Sequence, residues 1–273
     1  MMKFKRGNEM KLKKVLAVIA ALVMSITVLA GCGAGSDNSS SDAAASDKTY
    51  RIATDTTFAP FEFTNESGEF VGIDVDLLAA IAEDQGFKYT LDSIGFDAAL
   101  AAVESGQADG FIAGASITAE RQKKFDFSDK YYDSTVCAAV KADNSATSLE
   151  DINGSTVAVK TGTMSASWAE SIADQYALNL TYFDDSAMMY QAVNSGSAVA
   201  CFEDYPVMAY GVSQNNGLKL LVEEDGDDYA TPYGFGVKKD QNSELLKMFN
   251  QGLENIQKNG TYDKIVAKYT ESK

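Results

Sequence analysis

The stretch 109–134 carries residues that together could bind a carboxylate. An apolar strand over 111–113 leads into a run of small residues that includes Gly114 and Ser116, and Arg121 follows five residues later. Glycine lets another group approach the backbone closely, and a serine hydroxyl can donate a hydrogen bond. Because a guanidinium fork can bind a carboxylate through two parallel hydrogen bonds, this stretch predicts a carboxylate receptor. The alternative is that Arg121 is an ordinary surface arginine.

Two further loops follow predicted strands. Residues 50–54 form the first of these strands, and the loop that leaves it holds Asp55 and Phe58. Asp55 can accept hydrogen bonds from an amide or a cation, whereas Phe58 offers a flat apolar surface. The alternatives are that Asp55 caps a turn and that Phe58 is a core aromatic. The second loop lies in residues 154–163, where a strand runs through a Gly/Thr turn into a helix whose first N–H groups could bind an anion.

An internal repeat indicates how these loops are positioned. The segment AVESGQA at 102–108 recurs as AVNSGSA at 192–198, and each copy ends a helix at a glycine before an apolar strand begins. Gly114 and Asp204 lie eight residues after the glycine in the first and second copy, respectively. Two α/β lobes of similar build would set these loops across a shared crevice. Alternatively, Asp204 serves as the N-cap of a helix.

Composition excludes several classes of function. The chain has no histidine, which rules out Ser-His and Cys-His catalytic devices and histidine metal sites. We expect neither a cofactor nor a metal, and we interpret Asp74 and Asp76 as helix-capping residues rather than metal ligands. Cys137 and Cys201 lie in apolar strands and favour buried free thiols, with a disulfide as the alternative.

The N-terminal sequence predicts an export signal. Residues 1–31 carry six Lys/Arg side chains followed by an apolar run too short for a typical membrane-spanning helix. The run ends in Leu-Ala-Gly-Cys, which resembles a lipobox and would make Cys32 a lipidated first residue; a plain membrane anchor is the alternative. The polar segment 32–47 predicts a flexible tether. The mature chain would hold 17 basic and 38 acidic side chains, a net charge near −21, which argues against nucleic acid as a partner.

The pattern GxSITxERxxxFDFSxxYY at 114–132, together with TDxxFxPFEF at 54–63, resembles the extracytoplasmic solute-binding proteins for polar amino acids that serve ABC importers. The resemblance covers nearly all of residues 48–270. It implies an α/β, two-lobed periplasmic-binding-protein (Venus-flytrap) fold of type II with two hinge-crossing segments. The implied boundaries are 48–130 and 234–273 for lobe 1, 137–228 for lobe 2, and 131–136 and 229–233 for the crossings. A membrane permease would be the partner.

The resemblance also implies roles for the residues above. Arg121 would bind the α-carboxylate of an amino acid together with the N–H groups of Thr163 and Met164, although Met164 stands where relatives often have glycine. Asp204 would bind the α-ammonium group, and two phenylalanines would sandwich the ligand side chain. The expected contact set is Asp55, Phe58, Phe96, Gly114, Ser116, Arg121, Lys160, Thr163, Met164, Glu203 and Asp204.

The acceptor Asp55 and the donor Lys160 together suit a carboxamide, so we expect glutamine as the ligand. Lys160 disfavours a cationic ligand and Asp55 an acidic one, because a buried pair of like charges is costly. Glu203 stands where the family often has histidine. If Glu203 points into the pocket, a cationic ligand becomes a stronger candidate. One alternative is therefore a receptor for a basic or acidic amino acid. A second, which fits the residues expected to bind an amino acid less well, is an exported enzyme on the same fold, such as a cyclohexadienyl dehydratase. We expect no enzymatic activity.

Overall fold

The computed structural model describes residues 48–224, 226, 229–230 and 232–271. The predicted signal peptide (1–31), Cys32 and the predicted tether lie outside the described residues. Within them, no helix is long and apolar enough to span a membrane.

Two five-stranded sheets organise the chain. The strands of the first sheet are β1 (Thr49–Thr54), β4 (Lys88–Ser93), β5 (Gly110–Phe111), β6 (Phe125–Phe127) and β12 (Gly236–Lys238), in the spatial order β4-β1-β5-β12-β6. The strands of the second are β7 (Val136–Lys141), β8 (Thr156–Lys160), β9 (Asn179–Phe183), β10 (Ala200–Asp204) and β11 (Leu218–Glu224), in the order β11-β7-β10-β8-β9. A short hairpin adds β2 (Phe63–Thr64) and β3 (Phe70–Val71).

Each sheet mixes parallel and antiparallel pairs. In the first, β1 runs parallel to β4 and β5, whereas β12 is antiparallel to β5 and β6. In the second, β8 runs parallel to β9 and β10, whereas β7 is antiparallel to β10 and β11. The first sheet is completed by β12, which follows the whole second sheet in the sequence. The chain therefore leaves the first sheet and returns to it.

Seven α-helices cover the sheets in the described part of the chain. They are α1 (Ile73–Gln85), α2 (Phe96–Ser105), α3 (Met164–Ile172), α4 (Ser186–Ser195), α5 (Tyr205–Ser213), α6 (Ser243–Lys258) and α7 (Thr261–Thr270). The helices α1, α2, α6 and α7 accompany the first sheet, and we call this assembly lobe 1; α3, α4 and α5 accompany the second sheet in lobe 2. The boundaries of the two lobes remain a prediction.

The helix pattern follows from apolar spacing. In α6, Leu245, Phe249, Leu253 and Ile256 recur every three or four residues and are buried, which places one face of the helix against α1. The repeated helices α2 and α4 end at Gly106 and Gly196, both with φ of +79°. This left-handed conformation is accessible to glycine at little cost, so the predicted C-caps are confirmed.

Two sequence predictions in lobe 1 were wrong. The strand predicted over 111–113 is observed as Gly110–Phe111, although the Ile112 N–H still donates to the Ala53 carbonyl at 3.1 Å. The chain then turns at Gly114, where φ is +51°. Asp74 does not cap α1: its carboxylate is fully buried and accepts hydrogen bonds from groups outside the helix.

The segments expected to cross between the lobes lie side by side. The Tyr131 N–H donates to the Tyr233 carbonyl at 2.9 Å, and the Tyr233 N–H donates to the Tyr132 carbonyl at 2.8 Å. Such antiparallel pairing ties the outgoing and returning segments together. In lobe 2, Cys137 and Cys201 are buried and unbridged, as predicted.

Candidate functional site

The predicted contact residues lie where parallel strands end. Asp55 follows β1 directly, Gly114 lies three residues after β5, and Lys160 is the last residue of β8. Glu203 and Asp204 are the last two residues of β10. Because the carboxyl ends of parallel strands share one edge of a sheet, the two lobes present these residues toward one cleft.

A buried ion pair joins the two lobes inside the cleft. The Lys160 ammonium group of lobe 2 contacts the Asp55 carboxylate of lobe 1, and both side chains are 1% exposed or less. The Lys160 Nζ atom also lies 4.7 Å from the ring centre of Phe58 and 5.6 Å from that of Phe96. Burial lowers the pKa of Lys160, but Asp55 and Glu203 outweigh this effect and raise it, so the amine stays charged.

Arg121 spans the cleft from the other side. Its Nη1 donates to the Ser116 carbonyl in its own lobe at 2.7 Å, and its Nη2 donates to the Gly162 carbonyl of lobe 2 at 3.0 Å. The guanidinium carbon lies 5.1 Å from the Phe96 ring centre. Although burial lowers the pKa of Arg121, a guanidinium remains protonated at any physiological pH. Arg121 is therefore not a free surface arginine.

Asp204 is buried and held by two hydroxyl groups. Its Oδ1 accepts a hydrogen bond from Ser165 at 2.5 Å, and its Oδ2 accepts one from Tyr233 at 2.6 Å. Burial raises the pKa of Asp204, whereas these hydrogen bonds and the charge of Arg121 oppose the rise. Asp204 precedes α5, but its side chain caps no backbone N–H there, so the capping alternative is wrong for the side chain.

Glu203 is engaged inside lobe 2. Its Oε2 accepts hydrogen bonds from Ser186 and Tyr190, both at 2.8 Å, and its Oε1 accepts one from the Asp204 N–H at 3.0 Å. Burial and the nearby Asp204 raise the pKa of Glu203 to about 7, although Lys160 lowers it. All three hydrogen bonds come from groups of lobe 2, so Glu203 is engaged within its own lobe.

Gly114, Ser116 and Phe58 form one wall of the cleft. A Cβ atom on Gly114 would lie 2.3 Å from the Phe58 ring, so only glycine lets this backbone and this ring meet. Ser116 is buried and pairs with Tyr233 through an isolated β-bridge. Phe58 also packs in the apolar core of lobe 1, so it is a core aromatic as well as a wall of the cleft.

Thr163 and Met164 begin α3. The Thr163 hydroxyl accepts a hydrogen bond from the Ala166 N–H at 3.1 Å and donates to the Lys160 carbonyl at 2.8 Å. These bonds fix the turn between β8 and α3. The half-buried Met164 packs against the core of lobe 2.

A groove of about 340 Å³ opens beside this turn and is lined by residues of both lobes, among them Thr118, Arg121, Gly162, Thr163 and Met164. A larger groove, of about 1730 Å³, follows the crossing segments and contains none of the predicted contact residues. In the described part of the chain, no group of acidic or cysteine side chains could hold a metal.

Sequence reasoning missed the partners that hold the charged residues. Ser165, Ser186, Tyr190 and Tyr233 all donate to carboxylates of the cleft. Tyr233 lies 29 positions from Asp204 in the sequence, and no local pattern joins them. Ser165 could have been suspected, because it lies in the first turn of a helix already proposed to face the ligand.

Comparison with known proteins identifies the family of this chain. Residues 50–272 match the bacterial extracellular solute-binding proteins, family 3. The chain belongs to this family. The family resemblance drawn from the sequence, the extracytoplasmic location and the expectation of a binding protein rather than an enzyme are thereby confirmed.

Among relatives, the chain is 31% identical to a probable histidine-binding protein from Neisseria gonorrhoeae over 262 residues, 95% of this chain and 96% of the relative. The second substrate-binding domain of Lactococcus lactis GlnP, in an open conformation, is 43% identical with a TM-score of 0.58, covering 82% of this chain and 96% of that one. An ancestral arginine-binding protein bound to arginine is 38% identical with a TM-score of 0.74, covering 81% and 98%. These structures confirm the two-lobed α/β fold.

The two solved structures differ in how well they superimpose. The arginine-bound protein fits this chain better than the open domain does, although its sequence is less similar. The lobes of this chain also touch through Lys160–Asp55 and through Arg121–Gly162. These inter-lobe contacts agree with a closed arrangement of the lobes.

Proposed function

We propose that this chain is the receptor of an amino-acid ABC importer and binds a polar amino acid between its two lobes. The relatives described above bind or are named for amino acids, which supports this substrate class. In the proposed complex, Arg121 of lobe 1 binds the α-carboxylate and Asp204 of lobe 2 binds the α-ammonium group. A zwitterion that spans two lobes favours their closed arrangement, because it gains both contacts only when the lobes approach.

Glutamine is the proposed ligand, and the ion pair between Asp55 and Lys160 is the observation that carries this choice. The pair is buried and lies beside the rings of Phe58 and Phe96. A carboxamide offers an acceptor to Lys160 and a donor to Asp55 at once, so it can contact the pair without removing a charge. A cationic side chain would face the Lys160 ammonium group, and an acidic one would face Asp55.

Calorimetry tests the proposal directly. Purified protein is unfolded and refolded to remove any carried ligand, then titrated with each of the twenty amino acids. We expect tight binding of glutamine and weakening of about tenfold or more in Lys160→Ala, since a charge-assisted hydrogen bond contributes about 1.5–3 kcal/mol. Lys219→Ala is the control, because this half-buried lysine of β11 lies outside the predicted contact set. Unchanged glutamine affinity in Lys160→Ala would refute the donor role of this lysine.

A basic amino acid is the second candidate, and it rests on the relatives named for histidine and arginine. If arginine or histidine binds and glutamine does not, the charged anchors stand but the roles assigned to Lys160 and Glu203 are wrong. A related ancestral arginine-binding protein is also described bound to glutamine, with 38% identity to this chain, so one such pocket can accept both ligands.

We further propose that Cys32 anchors the protein to the cell membrane after residues 1–31 are removed. The support is the Leu-Ala-Gly-Cys sequence that ends the apolar run, followed by a polar tether. Cys32→Ala should release the protein from the membrane fraction. Retention of this variant in the membrane would favour a plain membrane anchor instead.

A further inference from the structure

Two buried carboxyl groups lie behind the wall of the cleft. Glu62 and Asp74 are both 0% exposed. Asp74 accepts hydrogen bonds at Oδ2 from the Gly114 N–H and from the Tyr131 hydroxyl, each at 2.8 Å. Within the described residues, no N–H or hydroxyl donor reaches Asp74 Oδ1 or either carboxyl oxygen of Glu62.

The Asp74 N–H donates to the carbonyl of Phe61, the residue before Glu62, at 2.9 Å, so the two buried carboxyl groups belong to adjoining backbone. An ionised carboxylate only accepts hydrogen bonds, so two such groups cannot satisfy one another. A buried pair of like charges without donors would also be costly. A single proton between them removes one charge and supplies the missing donor.

The surrounding charges indicate which group keeps the proton. The charges that act on Glu62 are those of Asp74, Asp55 and Lys160. Lys160 is the cation of this group, and it already pairs with Asp55. Asp74 receives the two donors named above, whereas Glu62 receives none, so the negative charge belongs on Asp74. Burial first, and then Asp74 and Asp55, raise the pKa of Glu62 well above its ordinary value, although Lys160 opposes this.

The backbone around the pair belongs to two loops of the proposed site. The Phe58 N–H donates to the Glu62 carbonyl at 2.7 Å, so Glu62 closes the loop that carries Phe58. Asp74 holds the N–H of Gly114, whose backbone packs directly on the Phe58 ring. A hydrogen bond between the two carboxyl groups would therefore join the Phe58 loop to the Gly114 loop.

We propose that Glu62 is a positioning residue of the binding site, which shares a proton with Asp74 and thereby holds the Phe58 loop against the Gly114 loop. The effect on ligand affinity rests on the function proposed above, whereas the shared proton does not. Loss of this proton at alkaline pH would set a second buried anion beside Asp74 and loosen both loops.

Infrared spectroscopy tests the shared proton without any ligand. At neutral pH the wild-type protein should show the carbonyl band of a protonated carboxylic acid, and Glu62→Gln should lack this component. Glu66→Gln, an exposed glutamate of the same hairpin, is the matched control and should leave the band unchanged. A spectrum identical in wild type and Glu62→Gln would overturn the proposal.

Calorimetry with glutamine then tests positioning. Glu62→Gln keeps a donor toward Asp74, so its affinity at neutral pH should stay within about twofold of wild type, whereas Glu62→Ala should bind about tenfold more weakly. The wild-type affinity should fall as pH rises above neutral, and that of Glu62→Gln should fall less. If the acid band is present but the affinities of wild type and Glu62→Gln change equally with pH, the proton is shared but does not position the binding site. If no amino acid binds the wild type, the proposed function fails, and the infrared result still decides whether the proton is shared.

Discussion

The cleft contains two pairs of opposite charges, and the protein treats them differently. Asp55 of lobe 1 and Lys160 of lobe 2 contact each other directly. Arg121 of lobe 1 and Asp204 of lobe 2 also oppose each other in charge, yet they form no ion pair within the described part of the chain. Arg121 donates to backbone carbonyls, and Asp204 accepts from hydroxyl groups.

This difference separates two tasks. The Arg121 and Asp204 charges are satisfied by neutral groups, so they can take up the opposite charges of a zwitterion without losing an ionic partner. The Asp55–Lys160 pair is buried and neutral as a unit, because each charge has its ionic partner. We therefore propose that the first pair recognises the amino-acid backbone and that the second discriminates among side chains.

The largest expected effect follows from removing the charge of Asp204. Asp204→Asn keeps an acceptor for one of the two hydroxyl groups but leaves the ligand ammonium without an anion, so the affinity for glutamine should fall by at least about 100-fold, or about 3 kcal/mol. Calorimetry measures the loss, with the exposed Asp92→Asn as control. An affinity within a few-fold of wild type would mean that another residue binds the ammonium group. The proposed difference between the two charged pairs would then be wrong.

The direct pair predicts a coupled effect on stability. Lys160→Met leaves the fully buried Asp55 without its cation and should lower the free energy of unfolding by about 3 kcal/mol. Asp55→Asn combined with Lys160→Met removes both charges and should recover most of this loss. Urea unfolding of the two single variants and the double variant provides the measurement. Additive losses would mean that the two residues do not act as a pair.

Glu203, which adjoins Asp204, should make the stability of the protein depend on pH. Its folded-state pKa of about 7 lies above its ordinary value of 4.5. The folded state therefore retains a proton that the unfolded chain releases, so this contribution to stability is complete below about pH 4.5 and is lost as pH rises through 7. Between these limits, wild type should lose about 3 kcal/mol relative to Glu203→Gln. Parallel stability curves in chemical denaturation would show that Glu203 is ionised in the folded protein throughout.

The sequence predicted most helices and strands because each has a strong apolar period or a glycine at its end, as in α6 and at Gly106 and Gly196. It also identified the loops of the cleft, since these follow strands. It failed where a side chain bonds across the fold. Asp74 has the position of a helix-capping residue, but it instead accepts hydrogen bonds from Gly114, 40 residues away, and from Tyr131, 57 residues away. Local patterns contain no information about such distant partners.

We expect the smallest effect at Met164, because this residue adjoins the Arg121 side of the cleft but carries no charge. It therefore tests whether the two charged pairs alone determine binding. Its side chain packs against the core of lobe 2, at the first residue of α3. Met164→Gly should lower the free energy of unfolding by about 1 kcal/mol, through lost packing and the entropy of glycine.

The affinity of Met164→Gly for glutamine should change by less than about threefold, because the role expected for this position belongs to its backbone N–H, which glycine retains. Met188→Gly is the matched control: it replaces an exposed methionine of α4, outside the cleft. Thermal unfolding and calorimetry separate the two quantities. A loss of affinity larger than the loss of stability would mean that the methionine side chain itself touches the ligand. An uncharged side chain would then contribute to binding in addition to the two charged pairs.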